Sequence, residues 1–325
     1  MGITHLSGLE IAGVPIINSG GAPFFTGNWI FVNAVTGSDG NTGAADSPLQ
    51  TLLAAYNKTT DGNNDVVVLV GAPTASSSTA GTFRLSAQLV WAKSATHLVG
   101  MCAPTMLGQR ARISTATGAT LNIADLLKIT GQGCLFQNFS IFQGVGQVST
   151  AEQLCQITGQ RNAFVNVAFQ GIASANGAGQ AASYSIYLNG AQENTFYNCQ
   201  IGTDTVSRTT TNASIICKNQ ATRNVFRDCI FPMDTTGTSL FVDVSAVSAL
   251  DRFLWFKSCL FTAFGTACAA ALATNGSNGG TTIMDNCTLV NCTQYSATAT
   301  DVTVQVTGSV PTGHTSGRSV SSATT

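Results

Sequence analysis

The stretch ENTFYNCQI, residues 193–201, decides how the chain is read, because its pattern returns at nearly constant intervals. Six segments share it: CLFQNFSIF (134–142), NAFVNVAFQ (162–170), NTFYNCQIG (194–202), NVFRDCIFP (224–232), LWFKSCLFT (254–262) and TIMDNCTLV (282–290). The leading large apolar residues are Phe136, Phe164, Phe196, Phe226, Phe256 and Met284, at spacings of 28, 32, 30, 30 and 28. Two places on stand Asn138, Asn166, Asn198, Asp228, Ser258 and Asn286, followed directly by Phe139, Val167, Cys199, Cys229, Cys259 and Cys287. Ile141, Phe169, Ile201, Phe231, Phe261 and Leu289 close the motif.

A fixed period of this length signals stacked repeats. The segments alternate with period two and are rich in Phe, Ile, Val, Thr and Cys, which excludes helical repeats. Leucine-rich and propeller signatures are missing. The pattern predicts an all-β, right-handed parallel β-helix whose coils of about 30 residues lie ~4.8 Å apart. The polar column between two apolar ones marks a turn, where Asn side chains can bond to their equivalents on the next coil. GVGQVSTAEQ, SANGAGQAAS and TDTVSRTTTN then form outward loops.

DVVVLVGAP (65–73), HLVGMCAP (97–104) and LNIADLLKI (121–129) read as earlier, less regular coils. SPLQTLLAAYN (47–57) predicts a helix with Ser47 as N-cap and Pro48 at its first position, placed to cover the open end of the β-helix. DVTVQV (301–306) alternates as a strand should. The expected organisation is an attachment segment over 1–27, a β-helix over 28–300 with its clearest coils at 126–297, and a C-terminal strand and polar tail over 301–325.

Charged residues make up 9% of the 325, against about 25% in ordinary soluble domains. The net charge of −1 and the lack of long charge runs argue against nucleic acid and anionic membranes as partners. So weakly charged a surface favours self-assembly, and a homo-oligomer, most simply a trimer, is expected. No stretch reads as a signal peptide or membrane span, which makes the ten cysteines reduced thiols. His5, His97 and His314 are scattered and no CxxC occurs, so neither a metal nor another cofactor is expected.

The segment WIFVNAVTGSDGNTGAADSPLQTLLAA (29–55) resembles the opening of pectate-lyase-like β-helix proteins, in Val32, Asn33, Gly37, Ser38, Asp39, Asn41, Gly43, Pro48, Thr51 and Leu52. With the repeats, the resemblance spans roughly residues 29–297. Many proteins that open this way are virion components of tailed bacteriophages: tailspikes, head fibres and capsid decoration proteins. The resemblance implies a β-helix with a capping helix and a place in a virion assembled in the host cytoplasm. The lyases of this fold use an Asp cluster for calcium and an Arg or Lys base. No position-by-position match exists here, so no catalytic residue is carried over.

Four features invite chemical readings. Cys199, Cys229, Cys259 and Cys287 form a column that is either a thiol ladder or a file of small core residues; ligands in a line do not converge on a metal. Asp204 and Asp234 each lie eight residues after their Phe, and carboxylates stacked ~5 Å apart would suit a retaining glycosidase, with Arg208 as the one local cation. Arg161, Glu193 and Arg223 each lie three residues before a Phe, which predicts an ion ladder across coils. Asp39 and Asn41 are weak calcium candidates in a turn of the kind that usually bonds to its own backbone.

Two function classes follow. One is a non-enzymatic virion protein, a capsid decoration, cement or head-fibre protein bound to the major capsid protein or its neighbours. The other is a tailspike-type polysaccharide depolymerase, glycosidase or lyase, acting on a host-surface glycan from the outward loops.

Overall fold

Phe136, Phe164, Phe196, Phe226 and Phe256 stand one above another, with ring centroids 4.9, 4.5, 4.2 and 5.0 Å apart and planes within 18° of parallel. That spacing is the separation of hydrogen-bonded strands, so one ring per coil produces a continuous stack. The computed structural model describes residues 10–11, 14–15, 25–71, 81–116, 123–144, 151–296 and 304–307.

The chain winds as a parallel β-helix with three faces. Ten parallel strands, from Trp29–Val32 to Val304–Thr307, form the face that carries the Phe stack. A nine-stranded sheet and a seven-stranded sheet make the other two. Phe136, Phe164, Phe196, Phe226, Phe256 and Met284 are direct register partners, and the file extends back through Leu98, Val67 and Ile30. The second apolar column lines the nine-stranded sheet, where Ile113, Ile141, Phe169 and Ile201 are in register. Trp91, Ile129, Ile157, Leu188 and Cys217 fill the inner face of the seven-stranded sheet. All these side chains are buried. Each stacked aromatic pair adds about 0.5–1.5 kcal/mol beyond simple burial.

The turn between the first two faces is a single residue in the left-handed conformation. Asn138, Asn166, Asn198, Asp228, Ser258 and Asn286 have φ between 51° and 60°. Short polar side chains tolerate that region best, which explains the column's composition. Asn166 Nδ2 donates to Asn138 Oδ1 at 2.9 Å, and Asn198 Nδ2 to Asn166 Oδ1 at 3.4 Å.

The capping helix α1 runs over Leu52–Lys58, and its N-cap is Thr51 rather than Ser47. The reason lies in the backbone. Leu49 is paired as strand, its N–H donating to Phe31 O at 2.9 Å and its carbonyl accepting from Asn33 N at 2.8 Å, so helix geometry begins only after it. Leu52, Ala55 and Tyr56 are buried against the first coils, and Tyr56 meets Trp91 with centroids 4.6 Å apart. Of the three earlier coil segments, two hold strands of the Phe-bearing sheet (Val66–Val70 and His97–Met101), whereas Leu127–Ile129 belongs to the seven-stranded sheet. In the predicted attachment segment, Glu10–Ile11 pairs antiparallel with Val14–Pro15; the polar C-terminal tail lies outside the described residues.

Candidate functional site

The outward loops that leave the nine-stranded sheet hold Asp204 and Asp234, the pair that would carry acid–base work if the protein were an enzyme, and the structure separates the two. Gln200 pairs with Ile230, but Ser207, not Asp204, pairs with Asp234. Three extra residues bulge out between these points, starting at Gly202 with φ +102°. Asp204 is therefore exposed on the bulge, while Asp234 lies half-buried beside Ser207 and across from Phe264 of the next coil. An equal count from the Phe column does not make the two carboxylates partners. Arg208, the cation expected to assist them, is fully buried beneath the bulge.

Glu193 lies between two arginines. Arg161 Nε donates to Glu193 Oε2 at 2.7 Å, and Arg223 Nε and Nη2 donate to Oε1 at 2.9 and 2.5 Å. Arg223 first, then Arg161, hold this carboxyl below the usual glutamate range. All three residues are left-handed, with φ of 55°, 56° and 52°; Arg161 and Glu193 turn the chain from the seven-stranded to the ten-stranded sheet, and Arg223 sits at the register shift inside the strand Ala221–Arg227.

The four-cysteine column points its thiols along the axis. The Sγ atoms of Cys199, Cys229, Cys259 and Cys287 donate to the carbonyls of Phe164, Phe196, Phe226 and Phe256 at 3.4, 3.5, 3.5 and 3.4 Å. All ten cysteines are free, and burial raises Cys229 well above an ordinary thiol.

Asp39 serves the opening turn. Its Oδ1 accepts from Gln50 N and Thr51 N at 2.9 and 2.8 Å, and its Oδ2 from Thr51 Oγ1 at 2.8 Å. Desolvation works against the charge, but these bonds outweigh it and lower the carboxyl's pKa. Asn41 Nδ2 donates to Pro48 O at 2.9 Å. Gly37 is required because a Cβ there would collide with the Leu49 carbonyl. Among the described residues no group of three or more His, Cys, Asp or Glu converges to hold a metal. His97 is a core histidine: its Nδ1 accepts from Leu135 N at 3.0 Å, and burial lowers its pKa to about 4.

Three features escape the sequence reading. Asn162, Asn194 and Asn224 form a buried ladder: Asn194 Oδ1 accepts from Asn162 N at 3.0 Å, and Asn224 Oδ1 accepts from Asn194 N at 3.1 Å. Its signal was the Asn that opens three successive motif segments. Glu152 is buried under α2 (Ala175–Ala178), where its Oε2 accepts from Ala173 N and Ser174 N at 2.9 and 3.3 Å; burial pushes it up to about 7. The third is a stripe on the outer surface of the ten-stranded sheet. Tyr197, Arg227, Lys257 and Asp285 are successive register partners, and Trp255 lies two residues before Lys257 on the same face of its strand. Arg227 lies over the Tyr197 ring at 5.6 Å, and Lys257 over Trp255 at 5.5 Å. No helix among the described residues is long and apolar enough to cross a membrane.

The sequence matches no protein-family model and no curated protein. Solved structures share its winding. A pectin methylesterase variant in complex with a hexasaccharide aligns with a TM-score of 0.49 at 13% identity, over 84% of this chain and 80% of that one. A rhamnogalacturonan lyase aligns at 0.49 and 14%, over 82% and 74%. The ORF18 protein of Geobacillus virus E2 aligns at 0.41 and 12%, over 85% and 59%. At these identities the likeness describes the fold alone.

Proposed function

We propose that the chain is a non-enzymatic structural protein of a tailed-phage particle, a capsid decoration, cement or head-fibre protein. It assembles as a homo-oligomer and binds the major capsid protein or neighbouring virion proteins through its terminal segments and the sides of its β-helix. The observation that carries this reading is what the carboxylates do. Asp39 and Asp65 accept backbone N–H groups, Glu193 is held between two arginines, and Asp234 has Ser207 as its partner instead of Asp204. Paired acid and base groups at glycosidase spacing need two facing carboxylates, and the register sets Asp204 and Asp234 apart. The phage setting rests on the resemblance of residues 29–55.

A second reading is kept for one observation. The stripe of Tyr197 and Trp255, each beneath a cation, offers a ring face and charged donors to a host-surface glycan. The two readings divide on clearing of capsular polysaccharide by the pure protein. No clearing is expected; clearing that Asp204→Asn or Asp234→Asn abolishes would replace the structural reading with the depolymerase.

A further inference from the structure

Among the described residues, Arg208 is the one fully buried lysine or arginine. It is 0% exposed, yet no carboxylate approaches it: the four ion pairs among the described residues all lie elsewhere. Its Nη1 donates to Ser214 Oγ at 3.1 Å and touches Met233 Sδ at 3.5 Å. Nε and Nη2 are buried with no partner.

Those two atoms share one edge of the guanidinium. Their N–H bonds run parallel and form the fork that binds two-oxygen anions side by side. Burying a cation without a counter-charge is costly, and so is leaving strong donors unpaired. Both deficits fall on the same edge. Gly202 presses close to it: a Cβ there would lie 3.2 Å from Nη2 and 2.7 Å from Pro232 O, so a larger residue would crowd the fork. Ser207 and Thr209, on either side of Arg208, are exposed, so the Arg208 side chain points inward between them.

We propose that the Nε–Nη2 edge of Arg208 is a site for a small planar monoanion of the carboxylate type, bound bidentately beneath the 202–212 loop. The anion supplies the missing charge and fastens the bulge that displaces Asp204. This site is independent of the virion reading and does not use the acidic residues.

The test is the thermal unfolding of the full-length protein at constant ionic strength as sodium chloride is replaced by sodium formate. Formate is expected to raise the midpoint saturably by roughly 2–4 °C in the wild type. Arg208→Met should abolish the rise, and so should Arg208→Lys, which keeps the charge but lacks the fork. Equal midpoints in the two salts, or the same rise in Arg208→Met, would overturn the proposal. Because these variants can fail to fold, the linewidth of ¹³C-formate is also titrated against wild-type protein alone. Saturable broadening that nitrate reverses is expected, and unbroadened formate overturns the site. If saturation appears only when the protein self-associates, the carboxylate comes from a second copy rather than from solution, and the free-anion site is likewise overturned.

Discussion

Phe196 lies on Phe226 with ring centroids 4.2 Å apart and planes 6° from parallel, the tightest step in a stack that runs through the middle of the β-helix. Phe196 also stacks on Phe164 at 4.5 Å and meets the edge of Phe169 at 6.1 Å. Phe196→Ala therefore opens a cavity in the centre of the stack, and is expected to cost about 3–5 kcal/mol in urea unfolding. Phe196→Leu, which retains most of the volume, should cost clearly less.

The buried Asn ladder gives a second expectation. Asn194→Ala removes the acceptor of Asn162 N and the donor to Gly159 O. Each stranded group should cost about 1–3 kcal/mol, and hydrogen exchange at the Asn162 amide should quicken more than at Phe196. Equal quickening at both amides would mean a general loosening rather than a lost ladder bond.

The left-handed column supplies a third. Asn198 has φ +53°, where a β-branched residue is strained, so Asn198→Val should cost about 1–2 kcal/mol more than Asn198→Gly. Chemical unfolding of the two variants side by side checks this.

These residues also mark how far the sequence carries. The Phe, Cys and polar-turn columns were legible because a repeat writes the same environment six times, and each column copies one position of the coil. The Asn162–Asn194–Asn224 file was equally periodic, but it opens each motif beside loops of changing length and hides among ordinary loop asparagines. Residue counting failed at Asp204 and Asp234 because a three-residue bulge shifts the register after Ile201, and composition does not reveal a bulge. The helix began at Thr51 rather than Ser47 because Leu49 had a strand partner in Phe31 and Asn33, a tertiary demand that outranks local propensity. Arg208 was legible only as the one cation near Asp204 and Asp234; its burial appears only in the folded loop.

Glu152 predicts a pH dependence. Burial raises its carboxyl from 4.5 to about 7 in the folded protein, so the native state holds the proton more tightly than the unfolded chain. Its contribution to stability is complete below pH 4.5 and falls as pH rises towards 7. Glu152→Gln should remove this decline. The difference in unfolding midpoint between variant and wild type, measured from pH 4 to 8, isolates it from the other carboxyls; a difference that does not change with pH contradicts the assignment.

The thiols should behave as packing groups. Cys155, Cys199 and Cys217 are almost entirely buried, and burial raises Cys155 and Cys217 well above ordinary thiols. Ellman's reagent is expected to titrate all ten cysteines in denaturant but to leave these three unreacted in the native protein, as peptide mapping of the labelled sites would show.

The structural reading is tested most directly by co-sedimentation of the purified protein with phage shells assembled without it. The account predicts saturable binding at a fixed number of copies per shell, unchanged by Asp204→Asn or Asp234→Asn. Protein that stays in the supernatant at every concentration would contradict it.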